Sequence, residues 1–269
     1  MKTLKDHVIL YDDECPMCNL YTRQFVKTGM LDKDGRAPFA DVDAANLPVD
    51  KQRACNEIAL VNTVNGEVTY GAQSLLKIIG HSFPVLNGLF QCKPFQQLIR
   101  PLYAFISYNR KVIVPGEPQT SNQQCIPTFN VPYRVAYLVF TWLVTSLILN
   151  AYTQLLSPLI PASYLTRELS ICGGQILFQS GVAFLANKNK ALAYLGNMMT
   201  VSFIGALLLL PGLMFTHGTY SAEGHLAWFM IVVGIMFFEH MRRVRLLEMP
   251  WYMSLTWVLY RVIVLCIIL

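Results

Sequence analysis

The chain has 269 residues, 54% of them hydrophobic and only 14% charged, which excludes an ordinary soluble protein, whose apolar share including Gly is roughly 45–50%. Residues 1–130 hold 13 Lys and Arg against 12 Asp and Glu, and residues 131–269 hold 8 against 4, so the net charge of +5 sits mainly among the hydrophobic runs of the second half. No basic patch with interleaved aromatics occurs, which excludes nucleic acid as a partner.

Residues 1–11 offer only Val8, Ile9, Leu10 and Tyr11 as an apolar run, short of the roughly 7–15 residues of a signal-peptide core, so the first half is expected to remain in the cytoplasm. Residues 7–11 read as a short buried strand. Residues 16–28 predict a helix with Pro16 in its first turn and Gly29 beyond its end. A second strand is expected at 39–42 and a short helix at 50–56. Two β-rich runs, 58–64 and 67–70, flank Asn65-Gly66, whose residues accept the positive φ of a tight hairpin turn. Helical spacing returns over 72–79 through Leu75, Leu76 and Ile79. The order strand, helix, strand, helix, hairpin, helix is that of a thioredoxin-like α/β domain. Residues 84–107 read as helical but broken by Pro94 and Pro101, and 114–132, rich in Pro, Gln, Asn and Ser, as the approach to a membrane. The expected division is an α/β domain over 1–111, a linker over 112–132 and an all-α transmembrane domain over 133–269.

Five apolar segments follow, at 135–156, 169–186, 192–215, 226–238 and 252–269. A span needs roughly 17–25 residues; the third reaches that length and the fourth falls short, so about five helices are expected. Arg110, Lys111 and Arg134 precede the first segment, Lys188 and Lys190 separate the second from the third, and Arg242, Arg243 and Arg245 separate the fourth from the fifth. The opposite loops, 157–168 and 216–225, contain only Arg167. Basic residues beside a span are retained in the cytoplasm. The expectation is a multi-pass protein of a bacterial-type inner membrane, with the amino-terminal domain inside and the carboxyl terminus outside.

Seven cysteines, at 15, 18, 55, 92, 125, 172 and 266, are odd in number and spread along the chain, unlike a secreted disulfide scaffold. Cys15 and Cys18, in YDDECPMC, stand one turn apart where the first strand passes into the first helix. The free N–H groups and positive dipole end of that helix stabilise a thiolate at Cys15 and make it the nucleophile, with Cys18 one turn deeper to resolve a mixed disulfide. Pro16 stiffens the junction and removes an N–H that has no helical partner. Asp12, Asp13 and Glu14 act the other way, because negative charge raises a thiol pKa. A structural zinc site needs four ligands, but there is no second C-x-x-C, and His7 and His81 have no Cys or His neighbours. Redox chemistry is therefore the reading adopted over metal binding, and no motif calls for a cofactor.

YDDECPMC resembles the D-x-x-C-x-x-C signature of the DCC-type thiol-disulfide oxidoreductase family, with Asp12, Cys15 and Cys18 at the signature positions. Tyr70-Gly71-Ala72 is similar to the entry of that family's later helix, and Tyr103 with Asn109-Arg110 to its closing element. The likeness covers residues 7–111. It implies a thioredoxin-like fold and a dithiol activity acting on protein thiols or disulfides, in the cytoplasm or at the membrane. Two departures accompany it. Asp13 replaces the Gly that commonly follows the signature Asp, and Cys55, Asn56 and Glu57 precede the third strand where thioredoxins place a proline.

Cys55 and Cys92 read as small buried hydrophobes, and Cys125 as a candidate second resolving thiol. Cys172 and Cys266 fall near the outer ends of their helices. In the membrane half Gln175 and Gln179 share a helical face with Cys172, beside Gly173 and Gly174, which admit a close neighbour. Arg261 follows Tyr252 by nine residues, about 13 Å into the last segment. Either it snorkels, or it contacts Glu239, the glutamine face or an anionic lipid headgroup. Two functions stand at this point: a membrane-anchored dithiol oxidoreductase, and a non-catalytic subunit whose thioredoxin-like domain docks or senses redox state in a larger membrane complex.

Overall fold

The computed structural model describes residues 2–39, 48–116, 128–157, 159–161, 163–214 and 221–268. The chain divides into two compact units, Met1–Tyr133 and Arg134–Leu269.

In the first unit β1 (His7–Tyr11), α1 (Pro16–Lys27), β2 (Arg36–Pro38), α2 (Lys51–Asn56), β3 (Ala59–Asn62), β4 (Val68–Tyr70) and α3 (Ala72–Ser82) follow in the expected order. The sheet runs β2-β1-β3-β4. β1 is parallel to β2, with Ile9 opposite Arg36. It is antiparallel to β3, with Ile9 opposite Leu60, and β3 and β4 close the hairpin. This is the thioredoxin-like arrangement. The central strands are apolar on both faces because each face carries a core. Ile9, Leu60 and Ile78 pack with Tyr21 and Phe25 on one side, and Leu10, Ala54, Ala59 and Val61 pack on the other.

The second strand differs from expectation. It lies at Arg36–Pro38 rather than 39–42, and positions 40–42 are outside the described residues. Arg-Ala-Pro carries no β-branched residue, so its strand character comes from pairing with β1; Pro38 is tolerated because β2 is an edge. Arg36 is held from both sides, its guanidinium 4.1 Å over the Tyr11 ring and donating to Asn19 Oδ1 at 2.8 Å.

A 3₁₀ turn (Pro84–Leu86), α4 (Asn87–Gln91) and the long helix α5 (Lys93–Ile113) complete the unit. The chain breaks at Cys92, not at the two prolines. Pro94 sits in the first turn of α5, where a missing N–H costs nothing, and α5 continues through Pro101.

The second unit is built from α6 (Val131–Gln154), α7 (Leu165–Asn187), α8 (Ala191–Met214), α9 (Ala222–Leu246) and α10 (Tyr252–Ile268). The first three residues of α6 belong to the preceding unit. α6, α7, α8 and α9 are long and apolar enough to cross a membrane, while α10 is apolar but has 17 residues. The fourth segment is therefore full length, and the fifth is the short one. The fourth reads as short in the sequence because His240 and Arg243 are polar, yet both are buried and paired inside the bundle.

α8 is the central helix, buried along most of its length. Small residues set its packing: a Cβ on Gly205 would overlap Met236 of α9. Gly174 of α7 likewise admits Tyr260 of α10, and Gly173 admits Trp142 of α6. Three aromatic side chains also hold α6. Tyr137 is hydrogen-bonded to Thr200 at 2.8 Å, Trp142 Nε1 donates to the Leu169 carbonyl, and Tyr152 Oη donates to the His225 carbonyl.

Lys190 donates to the Leu247 carbonyl at 3.0 Å and pairs with Glu248 at 2.9 Å. The α7–α8 turn, with Lys188 and Lys190, and the carboxyl end of α9, with Arg243 and Arg245, thus lie at one end of the bundle. Two of the charges used to orient the chain are not free surface charges: Arg110 is buried in an ion pair with Asp12, and Arg134 is buried.

Candidate dithiol site

Cys15 is the N-cap of α1. Its backbone is extended, and its sulfur accepts the Cys18 N–H at 3.4 Å. Pro16 begins the helix. A sulfur in the capping position faces the unpaired N–H groups of the first turn, where negative charge is favoured. The Cys18 thiol also hydrogen-bonds the Cys15 sulfur, and this interaction is the largest of those that pull the Cys15 pKa from 9.0 down to about 7 against the opposing effect of burial. The same hydrogen bond, reinforced by burial, pushes Cys18 well above the ordinary thiol range. The two sulfurs are thus separated in acidity, Cys15 towards thiolate and Cys18 towards thiol. Both are buried, at 2% and 4% exposure.

The acidic stretch before Cys15 is neutralised from a distance. Asp12 is buried, and its Oδ2 accepts a hydrogen bond from Arg110 Nη2 at 2.9 Å. Its Oδ1 accepts the Glu14 N–H at 3.1 Å. Glu14 pairs with Lys111 at 3.7 Å. Arg110 lowers the pKa of both thiols, and this offsets the opposing field of Asp12 at Cys15. Burial opposes the Arg110 charge, but Cys18, Asp12 and Cys15 outweigh it and raise its pKa. Arg110 is the functional residue that local sequence reading missed. Ninety-eight positions separate it from Asp12, and no local pattern announces the pair.

Tyr103, Ser107 and Arg110 share one face of α5, at positions i, i+4 and i+7, and all three bind backbone beside β3. Tyr103 Oη accepts the Ile58 N–H at 2.9 Å. Ser107 Oγ donates to the Asn56 carbonyl at 2.6 Å, and Arg110 Nη2 donates to the Cys55 carbonyl at 2.8 Å. This is the segment where thioredoxins carry the neighbouring proline; here α5 covers it. Burial pushes Tyr103 up to about 12 and Tyr21, which hydrogen-bonds Cys18, further still, so both stay protonated. Beyond α5, Gly116 packs so closely on residues 14–16 that a Cβ would overlap the Glu14 carbonyl.

The remaining cysteines are corrected in part. Cys55 is buried but disulfide-bonded rather than a free thiol. Cys92 is free and exposed, because it caps α5 at an open break in the chain. Cys172 and Cys266 are free, and Cys125 lies outside the described residues.

The polar residues of the membrane half are brought together only in part. Gln179 accepts from Tyr194 Oη at 2.9 Å and donates to Thr256 at 3.3 Å. Tyr194 Oη also lies 3.2 Å from His240 Nε2, and His240 Nδ1 lies 3.1 Å from Ser254 Oγ. Gln175 is buried on the same face of α7. Glu239 does not meet Arg261. Arg242 and Arg243 take its carboxylate, each at 2.7 Å, because they follow it by three and four positions on one helix. Arg261 lies over the Trp257 ring at 3.9 Å, and Trp257 also stacks on His240.

Residues 9–114, about two fifths of the chain, match the family model described as DCC1-like thiol-disulfide oxidoreductase. No curated protein and no solved structure matches the chain. The segment that holds Asp12, Cys15, Cys18 and Arg110 thus matches the model of the DCC1-like thiol-disulfide oxidoreductases, and four helices apolar enough to span a membrane follow it in the same chain.

Proposed function

We propose that this protein is a membrane-anchored thiol-disulfide oxidoreductase whose cytoplasmic Cys15–Cys18 pair exchanges electrons with thiols or disulfides of cytoplasmic or membrane proteins. The observation that carries the reading is the acidity split at the start of α1, with Cys15 lowered to about 7 and Cys18 raised. The Cys15 thiolate attacks one sulfur of a partner disulfide, forming a Cys15–partner disulfide and releasing the other partner sulfur as thiolate, which takes up a proton. Cys18 then loses its proton and attacks the Cys15 sulfur. The Cys15–Cys18 disulfide forms, the second partner thiol leaves, and two electrons have passed to the partner. The reverse sequence oxidises a partner dithiol. Arg110 and Asp12 are positioning residues, and Pro16 stiffens the turn.

Cys18→Ser in the full chain should accumulate mixed disulfides that dithiothreitol releases, and Cys15→Ser should accumulate none. Failure of both variants to trap a partner, together with zinc found by native mass spectrometry, would sink the redox reading. Orientation in a bacterial-type inner membrane rests on the basic turns at one end of the bundle. An impermeant thiol reagent added outside should label Ser221→Cys and spare Asn189→Cys in a background lacking other reactive thiols. The opposite pattern would invert the topology.

A second reading, a docking or redox-sensing module within a membrane complex, is favoured by the burial of both sulfurs and by the disulfide at Cys55. Cytosolic disulfides are usually catalytic or redox-sensing. Trapping separates the two readings, because a sensor that exchanges with no protein partner leaves Cys18→Ser without adducts.

A further inference from the structure

The first unit carries an apolar surface that its own core does not use. Val85 is 94% exposed, Leu98 69% and Leu89 50%. Leu98, Leu102 and Ile106 stand four positions apart on α5 and form one stripe, all exposed. Phe95, one turn before Leu98 on the same stripe, stacks on Phe90 of α4 at 5.7 Å, and Gln96 Nε2 donates to the Phe90 carbonyl. The stripe is thereby continuous with the exposed 84–89 segment. An apolar ridge of this kind on a folded domain marks an interaction surface.

Charge identifies the class of partner. Residues 68–116 contain five Lys and Arg and not one Asp or Glu. Arg110 is taken by Asp12, Lys111 by Glu14 and Lys77 by Glu67, which leaves Lys93 and Arg100. Lys93 and Arg100 are seven positions apart on the face of α5 away from Leu98. The pattern, apolar on one side and basic with no acid on the other, is that of a helix lying in the interface of an anionic bilayer, where long basic side chains reach the headgroups. Covalent connection points the same way: 17 residues join Ile113, the end of α5, to Val131, the start of the first membrane-spanning helix. Such a tether holds the surface at high effective concentration over the bilayer, so a weak interfacial affinity suffices.

We propose that the ridge of residues 84–106 docks on the anionic surface of the membrane in which the second unit is embedded. Leu98 and Leu102 enter the interface, while Lys93 and Arg100 engage phosphate headgroups. This does not rest on the dithiol reading and holds for a catalytic or a sensing domain alike.

The experiment uses the full chain reconstituted in vesicles of phosphatidylcholine with phosphatidylglycerol, a clickable fraction of the latter serving as tracer. Benzoylphenylalanine replaces Leu98 in one sample and Val64, 78% exposed in the β3–β4 turn, in another. Irradiation should give a lipid adduct at position 98 severalfold above that at 64. Lys93→Glu with Arg100→Glu, or vesicles of phosphatidylcholine alone, should reduce it towards the position-64 level. Equal adducts at the two positions, or crosslinking of position 98 to a second copy or another protein, would overturn membrane docking. A position-98 adduct indifferent both to charge reversal and to phosphatidylglycerol would overturn its anionic specificity.

Discussion

Arg110→Leu is expected to destabilise the first unit by about 3–5 kcal/mol, the usual cost of removing one partner from a buried ion pair. The loss comes from Asp12, whose carboxylate stays buried at 3% side-chain exposure with its cation gone, and from the Cys55 carbonyl, which loses its donor. Native-state hydrogen exchange of the β1 and β3 amides in the detergent-solubilised full chain measures it. Asp12→Asn combined with Arg110→Leu should lose less than the two single changes added, because the orphaned charge is then absent. The same variant reports on the dithiol. Arg110 lowers the Cys15 pKa, so its removal should move the alkylation profile of Cys15 with iodoacetamide from a midpoint near 7 towards the ordinary thiol value. Below that midpoint Cys15 is protonated and slow, and above it the rate levels off; at neutral pH Arg110→Leu should therefore react more slowly than the parent. An unmoved profile would remove Arg110 from the control of the thiolate and leave it a structural role alone.

Gly71→Ala should destabilise the same unit by about 1–3 kcal/mol, the cost of holding a side chain in a backbone region that glycine alone enters readily. Gly71 has φ +64° and ψ −139° at the start of α3, and its N–H donates to the Ile58 carbonyl at 2.8 Å, so the conformation is tied to β3. A Cβ there would also stand 2.9 Å from Glu57 Oε2 and 3.4 Å from the Tyr103 ring. Glu57 is the far end of a flexible side chain and can move aside. Gly71→Ala with Glu57→Ala should therefore recover only the steric share of the loss, leaving the backbone share. Full recovery would assign the whole effect to the clash.

The parts of the fold readable in the sequence are those set by short-range chemistry. His7–Tyr11, Cys15-Pro16 and the runs flanking Asn65-Gly66 each carry their own propensity, and the long apolar helices announce themselves by composition. The strand Arg36–Pro38 is invisible because its pairing with β1, not its residues, makes it a strand. α9 reads as short because a count of apolar residues cannot recognise that His240 and Arg243 find partners inside the bundle. At the site, spacing alone suggests the roles of Cys15 and Cys18, but the net effect of Asp12, Asp13 and Glu14 is undecided until Arg110 arrives from the end of α5. Asn109-Arg110 is noticed only through the family resemblance, without its role. Arg261 shows the opposite error: Glu239 looks free in the sequence, but Arg242 and Arg243, neighbours on the same helix, take it first.

Pro101 divides α5 between two environments. It lacks the N–H that would bond the Gln97 carbonyl, and its ring crowds that turn, so the helix resists bending least there. On the carboxyl side Tyr103, Ser107 and Arg110 fasten the helix to the segment before β3 and to Asp12; on the amino side Phe95 and Gln96 hold it to Phe90 of α4. The missing Gln97–Pro101 hydrogen bond therefore falls between the part of α5 that is held by α4 and the part that holds Asp12 and the Cys55 carbonyl.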